Sequence, residues 1–301
     1  MNKDATKDSD KSRLSTFPRT RTGQQILTKR VIANLEPSWD SKRHAKKLQK
    51  DLQEPSARLQ KETADPWERY EKCFKLYQAG EGYLVFAKNA TFKEAMMKKI
   101  EISGEDVVSN LTTASHKNLV QLYEVLYREG TLFLFYEVMD VSLNQVFATP
   151  LGRMRLYEVA AFSHDILLGL NYIHQIHRIS HGNINSNNIL LATNGSVKIA
   201  NFGESILHSQ DLELHQDDIR SIGTMIIECL EPQTSLQKED CLRSKTWDPK
   251  LINFIEATKQ RSAQYLLKDD FLQLSPGSPC LKPYIRLARE LANNQVELQR
   301  D

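Results

Sequence analysis

The residues best placed to do chemistry in this chain are the asparagines of the stretch HGNINSNNILLATNGSVKIANFGES, residues 181–205. They are Asn183, Asn185, Asn188 and Asn201. Carboxylates at such positions could accept a proton or hold a divalent cation. A neutral amide has no useful basicity near neutral pH, and it brings no charge to a hard cation such as Mg²⁺. The side-chain types therefore predict a loop with no group suited to proton transfer and no charged ligand for a metal ion.

Short strands are predicted ahead of this stretch. FKLYQAGEGYLVFAK and EAMMKKIEI predict strands joined by a turn that contains glycine, and LVQLYEVLY and TLFLFYEV predict two more. The polar, amphipathic segment GEDVVSNLTTAS lies between these pairs and is the one helix expected there. The first half of the domain is thus predicted to be mostly strands.

The second half is predicted to be helical. In YEVAAFSHDILLGLNYIHQIH, apolar residues recur every three or four positions, which indicates a buried helix. DDIRSIGTMIIECL predicts another helix, with Asp217 or Asp218 as its N-cap. KLINFIEAT, SAQYLLKDDFL and PYIRLARELA predict three more.

The N-terminal region differs from the rest in composition. Residues 1–66 hold 15 Lys and Arg against 9 Asp and Glu, a net charge of +6, whereas the remainder holds 25 against 29, a net of −4. Residues 1–40 are expected to be disordered because they bury too little apolar surface. Residues 41–54 have the spacing of a narrow amphipathic helix. The excess charge fits a solvated tail, with an anionic partner as the alternative.

The whole chain carries a net charge of only +2, which gives no indication of a nucleic-acid partner. No apolar run approaches the ~20 residues that span a bilayer, and the N-terminus has no signal-peptide pattern. We therefore expect an intracellular protein, cytoplasmic or nuclear, with no membrane span. The cysteines form no CxxC pair, so zinc and redox motifs are unsupported: they are Cys73, Cys229, Cys241 and Cys280.

Several local patterns, in order, resemble the protein-kinase fold over roughly residues 68–291. HGNINSNNILL stands where kinases have H-R-D-L-x-x-x-N, and GSVKIANFGES stands where a strand leads into D-F-G. The texture resembles serine/threonine kinases of the sterile-twenty type. The resemblance implies an α+β, bilobal fold, with a β-rich N-lobe at 67–139, a helical C-lobe at 140–292 and a polar tail at 293–301.

The resemblance assigns roles to the asparagines of the loop. Asn183 stands at the proton-accepting Asp, and Asn185 at the Lys that contacts the transferred phosphate. Asn201 stands at the metal-binding Asp of D-F-G. Asn188 matches the second metal ligand of the family and is a weak metal site by itself. Gly182 replaces an Arg that pairs with a phosphorylated activation segment.

Other matched positions are implied to be architectural. His181 would bond backbone near the D-F-G turn, and Asp218 would hold the catalytic loop. Phe202 and Gly203 would be packing and turn residues. Only sixteen residues separate Asn201 from Asp218, and the A-P-E motif is missing, so Arg261 lacks the partner that this motif supplies and a substrate platform is not expected.

The implied nucleotide pocket is degraded. If Val85 is the valine of G-x-G-x-x-G-x-V, the three glycine positions hold Gln78, Gly80 and Tyr83, although Gly82 could shift this frame. A side chain fills the space that backbone next to phosphate requires. Tyr83 is a candidate to occupy the cleft itself.

Lys98 of AMMKKI aligns with the Lys of V-A-I-K, with Lys99 as the second choice. The position of its usual Glu partner falls near Val107, with Glu105 or Asp106 as substitutes. We expect no such ion pair, so that Lys98 is exposed or locally paired. At the hinge, Tyr136 would narrow a purine pocket or fill it. The hinge residues that follow it are Glu137, Val138 and Met139, of which Glu137 and Met139 are the remaining candidates to contact a nucleotide.

These features predict a pseudokinase that binds other proteins, such as an active kinase or a signalling complex. Three hypotheses stay open: a non-catalytic interaction module, a nucleotide-binding pseudokinase, and a kinase with weak or non-standard phosphotransfer. No cofactor is expected to be required. ATP binding is left open, and magnesium is expected to bind poorly.

Overall fold

The computed structural model describes residues 62–102, 115–151, 153–208, 215–232, 234, 240–244 and 246–297. The N-terminal arm up to residue 61, its expected helix at 41–54 and all of the segment GEDVVSNLTTAS except its last residue lie outside the described residues. Within the described part, no helix is long and apolar enough to cross a membrane.

A six-stranded sheet forms the N-terminal part, in the order β1-β5-β6-β4-β3-β2. Strand β1 pairs with β5 in parallel and the other neighbours are antiparallel. A short helix, α1 at Pro66–Arg69, precedes β2. The strands are β1 (Glu62–Thr63), β2 (Tyr70–Tyr77), β3 (Glu81–Ala87), β4 (Glu94–Glu101), β5 (Leu122–Arg128) and β6 (Thr131–Tyr136).

The two faces of this sheet pack into different clusters. Met96 and Tyr136 belong to the cluster that also contains Met139 and Ala200 from the segments below the sheet. Met97 belongs to the opposite cluster. Successive residues of a strand point to opposite faces, so the first face, called here the cleft face, looks toward the C-terminal part of the chain.

Helices dominate after β6. The central pair is α3 and α5, whose buried apolar faces make one large core. The elements are β7 (Val141–Ser142), α2 (Leu143–Phe147), α3 (Leu156–Tyr172), a π-helical turn (Ile173–His177), β8 (Ile189–Leu191), β9 (Val197–Ile199), α4 (Phe202–His208), α5 (His215–Leu230), α6 (Pro249–Thr258), α7 (Ala263–Leu266), two 3₁₀ turns (Asp270–Leu274, Ser278–Leu281) and α8 (Lys282–Glu297).

The α+β prediction is confirmed, with strands first and helices after them. Helix α3 buries its periodic residues Val159, Phe162, Ile166 and Leu170, as an amphipathic pattern requires. Strands β7, β8 and β9 form a small second sheet that supports the stretch 181–205.

Several predicted boundaries were wrong. Glu62–Thr63 belongs to the sheet and not to the arm. The sequence did not predict this strand, because two residues are too few to show an alternating pattern. Helix α8 continues to Glu297, past the predicted end of the lobe at residue 292. Helix α5 begins at His215, so Asp217 and Asp218 lie in its first turn and neither is its N-cap.

Candidate functional site

Asp218 joins helix α5 to the loop that precedes β8. Its carboxylate accepts hydrogen bonds from the backbone N–H of His181 at 2.7 Å and of Gly182 at 2.8 Å. The His174 ring lies 2.8 Å from the same carboxylate, through Nε2. Asp218 is almost fully buried. A buried carboxylate with three partners fixes the start of the loop, since an unpaired charge there would be costly.

His181 makes the next link in this frame. Its Nε2 lies 2.7 Å from the carbonyl oxygen of Ala200, which directly precedes Asn201. Burial lowers the pKa of His181, and this outweighs the opposite effect of the nearby Asp218 carboxylate. A neutral ring with a proton on Nε2 fits both contacts, because Nδ1 can then accept from the N–H of Asn183 at 3.3 Å.

Four asparagines form a connected network above this frame. The amide of Asn185 donates to Oδ1 of Asn183 at 2.6 Å, and that of Asn188 donates to the Asn183 carbonyl at 2.7 Å. The amide of Asn201 donates to Oδ1 of Asn188 at 3.1 Å. Among the described residues, no carboxylate hydrogen-bonds to these four amides. The network uses neutral amide groups as donors and acceptors and contains no proton acceptor of useful basicity.

Lys98, on the cleft face of β4, is tied to three groups. Its Nζ donates to the carbonyl of Ala79 at 2.5 Å and to Oδ1 of Asn201, and lies 3.3 Å from Oε1 of Glu204. Burial lowers the pKa of Lys98, although Glu204 acts in the opposite direction. The expectation of an exposed or only locally paired lysine was wrong, because a helix that starts at Phe202 brings a distant carboxylate to it.

Glu204 also accepts from the phenol of Tyr136 at 2.6 Å. Burial raises the pKa of Tyr136 well above its usual value, and Glu204 adds to this effect, so the phenol stays a donor. Gly203 makes the approach possible, since a Cβ on it would lie 2.4 Å from the Tyr136 oxygen. Tyr136 therefore closes the back of the cleft by bonding across it to α4.

The hinge after β6 is occupied by a side chain from the turn between β2 and β3. The amide of Gln78 donates to the carbonyl of Met139 at 2.6 Å, and its Oε1 accepts from the Met139 N–H at 3.1 Å. Both residues are buried. One primary amide thus satisfies the donor and the acceptor of the same backbone residue.

The turn that carries Gln78 bends sharply into the cleft. Gln78 N–H bonds to the carbonyl of Gly80 at 3.0 Å, and both Ala79 (φ 51°) and Gly80 (φ 103°) have left-handed backbones. Such a conformation is costly for alanine and persists only where surrounding contacts hold it. The contacts are at the Ala79 carbonyl, which accepts from Lys98 and, at 3.0 Å, from the amide of Asn201.

Residues 69–218 match the family model of the protein kinase domain. This part of the chain belongs to the protein kinase superfamily. The bilobal, kinase-like architecture is confirmed with it: the β-rich N-lobe is the sheet of β1–β6, and the helical C-lobe follows the hinge.

Some of the residues predicted to line the nucleotide cleft lie on the opposite face of the sheet. Val85 packs in the opposite cluster with Met97, and Leu84 pairs with the cleft-facing Met96 instead. The frame was therefore wrong by one residue, which in a strand reverses the face. Tyr83 also lies on the far side, with the Lys72 ammonium 3.6 Å from its ring centroid, so it does not fill the cleft.

The carboxylate of Glu137 is engaged by other residues. It pairs with Lys198 at 2.6 Å and accepts from the N–H of Gln121 at 2.8 Å, which fixes the hinge to its surroundings. Gly82 is needed for packing, since a Cβ there would lie 2.7 Å from the backbone carbonyl oxygen of Met97, in addition to its contact with the Met96 side chain. Gly80 lies near Lys98, whose Nζ would be 3.7 Å from a Cβ at this position.

The remaining matched positions serve packing. Phe202 is buried in the helical core, with its ring centroid 4.8 Å from that of His177. Lys99 points away from the cleft toward the aromatic rings of Trp67 and Phe133. Arg261 lies over the ring of Tyr265 at 4.7 Å. The helix positions at Glu105, Asp106 and Val107 lie outside the described residues.

The donor set fits magnesium poorly. The amide oxygens of Asn188 and Asn201 are already bonded to Asn201 and Lys98. The nearby carboxylate of Glu204 is engaged by Lys98 and by the Tyr136 phenol. The described residues contain no group of three or more His, Cys, Asp or Glu side chains that could hold a metal ion. Magnesium prefers charged oxygens, so this arrangement does not suit it.

A cavity of about 740 Å³ opens beside Lys98, away from the hinge. It is bordered by charged and apolar side chains from β3, β4, β6 and α4, and none of its described lining residues belongs to the hinge. They are Glu81, Lys98, Lys99, Ile100, Glu101, Thr131, Phe133 and Glu204.

Sequence reasoning missed the roles of Gln78, Ala79 and Glu204. Gln78 was noticed only as a missing glycine, and its contact with Met139 spans 61 residues. Glu204 had one available signal, its place directly after Phe202 and Gly203 at the start of a helix. That position alone does not say which cation it will meet.

Proposed function

We propose that this protein is a pseudokinase: it transfers no phosphate and acts through the proteins that it binds. The observation that carries the proposal is the network of amides at Asn183, Asn185, Asn188 and Asn201. It occupies the positions where the kinase reaction needs a base and charged metal ligands.

The missing base alone has a large effect. Losing a positioned general base costs on the order of 10²–10⁴ in rate. The amide of Asn183 cannot take the proton of an attacking hydroxyl, and its Oδ1 already accepts from Asn185. The neutral charge of the metal positions adds a second, independent defect, because phosphoryl transfer depends on electrostatic stabilisation of developing charge.

The segment after Gly203 supports the same proposal. Helix α4 begins at Phe202, and α5 begins at His215. Glu204 of α4 pairs with Lys98, so the start of this segment lies against the cleft. A chain of this length that forms a helix against the cleft leaves little backbone to build a platform for a substrate peptide.

A binding role follows from what the fold keeps. The frame around Asp218 and the large core hold the C-lobe in shape although its chemistry is absent. The basic region at 1–66 would serve as a tether to a partner, and a partner kinase or signalling complex fits the family. The sterile-twenty resemblance remains part of this proposal.

The test is phosphotransfer by the full chain. Wild type and Lys98→Ala should be incubated with radiolabelled ATP and Mg²⁺ or Mn²⁺, with a generic protein substrate, and autophosphorylation should be followed by intact mass. We expect no transfer by wild type above the Lys98→Ala background. Transfer that clearly exceeds this background would contradict the proposal and favour a kinase with non-standard chemistry.

The double change Asn183→Asp with Asn201→Asp tests whether these two amides alone account for the proposed absence of phosphotransfer. We expect it to restore little activity. A carboxylate at position 201 would still attract Lys98, and the hinge would still be held by Gln78. Recovery to the rate of an ordinary kinase would show that the two amides are the only defects.

A further inference from the structure

The hinge and the turn 78–80 together suggest why nucleotides would be excluded from this cleft. We propose that Gln78 is an internal ligand of the hinge, which competes with purines for the backbone of Met139. The inference deepens the proposed function and rests on it for the view that the cleft has no catalytic task. Its test concerns binding and can fail separately.

The hydrogen-bonding pattern carries the proposal. A primary amide presents an acceptor and a donor side by side in one plane. The N1 and N6 edge of adenine presents the same pair. At Met139 the N–H and the carbonyl are both used by Gln78, at 3.1 and 2.6 Å. A purine that bonds this backbone residue must therefore first displace the Gln78 side chain.

The position of Gln78 is stabilised from a second site. The Ala79 carbonyl accepts from Lys98 and from the Asn201 amide, which holds the turn down at the phosphate end of the cleft. Ala79 keeps its left-handed backbone only while these contacts last. Gln78 and Ala79 thus close both ends of the nucleotide site, one at the hinge and one at the lysine.

If most molecules have the closed cleft, the apparent affinity for a purine is the intrinsic affinity multiplied by the fraction of molecules that are open. The two hydrogen bonds of Gln78 stabilise the closed state and so reduce the fraction of open molecules. Removing them should raise purine affinity by about tenfold or more, on the basis of typical net hydrogen-bond contributions and the tenfold steps of affinity. The Lys98 contacts would remain, so full opening is not expected.

The experiment is calorimetric titration of the full chain with adenosine and with ATP, each with and without Mg²⁺. Three proteins are compared with wild type. Gln78→Ala removes the internal ligand. Gln78→Glu keeps its size, and its ionised carboxylate cannot donate to the Met139 carbonyl. Gln216→Ala is the matched control, because it loses one side-chain bond to the Thr258 carbonyl, 2.8 Å, in the helical lobe.

We expect both Gln78 variants to bind adenosine at least about tenfold more tightly than wild type, with Gln216→Ala unchanged. Equal affinity in wild type and the Gln78 variants would overturn the proposal. So would tight binding by wild type, and this result would leave the absence of phosphotransfer untouched. Conversely, phosphotransfer by wild type would contradict the proposed function but not a measured affinity gain.

Hydrogen exchange supplies a test that needs no variant. In wild type without nucleotide, the Met139 N–H should be protected because Gln78 accepts from it. Rapid exchange of this amide in the folded protein would overturn the proposal even if the Gln78 variants failed to fold. In Gln78→Ala the amide should exchange faster and regain protection when adenosine is added.

Discussion

Two polar centres of this domain differ in side-chain type: one is built on a carboxylate and the other on neutral amides. At the base of the loop, Asp218 is a buried carboxylate that accepts from two backbone N–H groups and contacts a histidine. At the mouth of the cleft, the corresponding polar positions are the neutral amides of Asn183 and Asn201. The carboxylate is kept where it holds the fold and is absent where it would act on a substrate.

The difference follows from the hydrogen bonds that each side-chain type can make. An amide both donates and accepts, so Asn201 can bond to Lys98, to Asn188 and to the Ala79 carbonyl at once. A carboxylate there could only accept, and its charge would repel the two oxygens. Asn201 therefore makes a combination of donated and accepted bonds that an ionised carboxylate could not make, whereas at Asp218 only acceptors are needed.

The largest expected effect is at the base. Asp218→Ala removes the acceptor of three buried partners and leaves the N–H groups of His181 and Gly182 without it. Breaking a buried, hydrogen-bonded charged group typically costs about 3–5 kcal/mol, and we expect a loss of this size in the free energy of unfolding. Urea denaturation followed by circular dichroism measures it.

Asp217→Ala is the control for this change. Asp217 is the preceding residue on α5, and its exposed side chain lies 3.5 Å from Arg220. An exposed pair of this kind contributes little, so a change of about 0.5 kcal/mol or less is expected. Equal losses of stability in the two variants would show that the buried contacts of Asp218 stabilise the fold no more than an exposed ion pair does.

Much of the frame was predictable from the sequence, because it depends on local patterns. The spacing of Val159, Phe162 and Ile166 specified a buried helix, and α3 forms there. The motif around His181 and the helix of Asp218 could be matched by order and interval. Such patterns repeat within one or two turns of chain and need no knowledge of distant residues.

The contacts that close the cleft were not predictable in this way. Gln78 and Met139 are 61 residues apart, and Lys98 and Asn201 are 103 apart. Their pairing depends on how the lobes meet and on the face that each strand presents. The placement of Val85 shows the sensitivity, since a frame wrong by one residue moved a candidate from the cleft to the opposite side of the sheet.

A medium effect is expected at the back of the cleft. Gly203→Ala would place a Cβ 2.4 Å from the Tyr136 oxygen, which forces a shift. Overpacking of this kind costs about 1–3 kcal/mol. Tyr136→Phe removes the oxygen, so Gly203→Ala should cost less in that background, with a coupling of about 0.5–3 kcal/mol. Unfolding of the two single variants and the double variant measures the cycle.

Gly182→Ala serves as the uncoupled comparison. Gly182 has a left-handed backbone, φ 74°, and a Cβ there would meet no atom within 4 Å. Its cost is conformational, about 1–2 kcal/mol, and should be the same with Tyr or Phe at position 136. A cost for Gly203→Ala that is equally insensitive to residue 136 would show that the close approach to Tyr136 does not constrain α4.

The smallest effect concerns pH and returns to the base of the loop. Burial lowers the pKa of His181 in the folded state, so below about pH 6.5 the unfolded chain binds more protons at this residue than the folded chain does. Stability should therefore fall as the pH falls through that region. Protonation of Nδ1 would also end its acceptance of the Asn183 N–H, which links the base of the loop to the amide network.

His181→Gln keeps a donor toward the Ala200 carbonyl and cannot titrate. Unfolding should be measured near pH 7.5 and near pH 5.5, on either side of the ordinary histidine pKa of about 6.5. We expect wild type to lose more stability than the variant between these conditions. Some loss should persist in the variant, because burial also lowers the pKa of His177 and His215. An unchanged loss would mean that the pKa of His181 does not differ between the folded and unfolded chains. A smaller loss in wild type than in the variant would mean that His181 is protonated in the fold, with Asp218 outweighing burial.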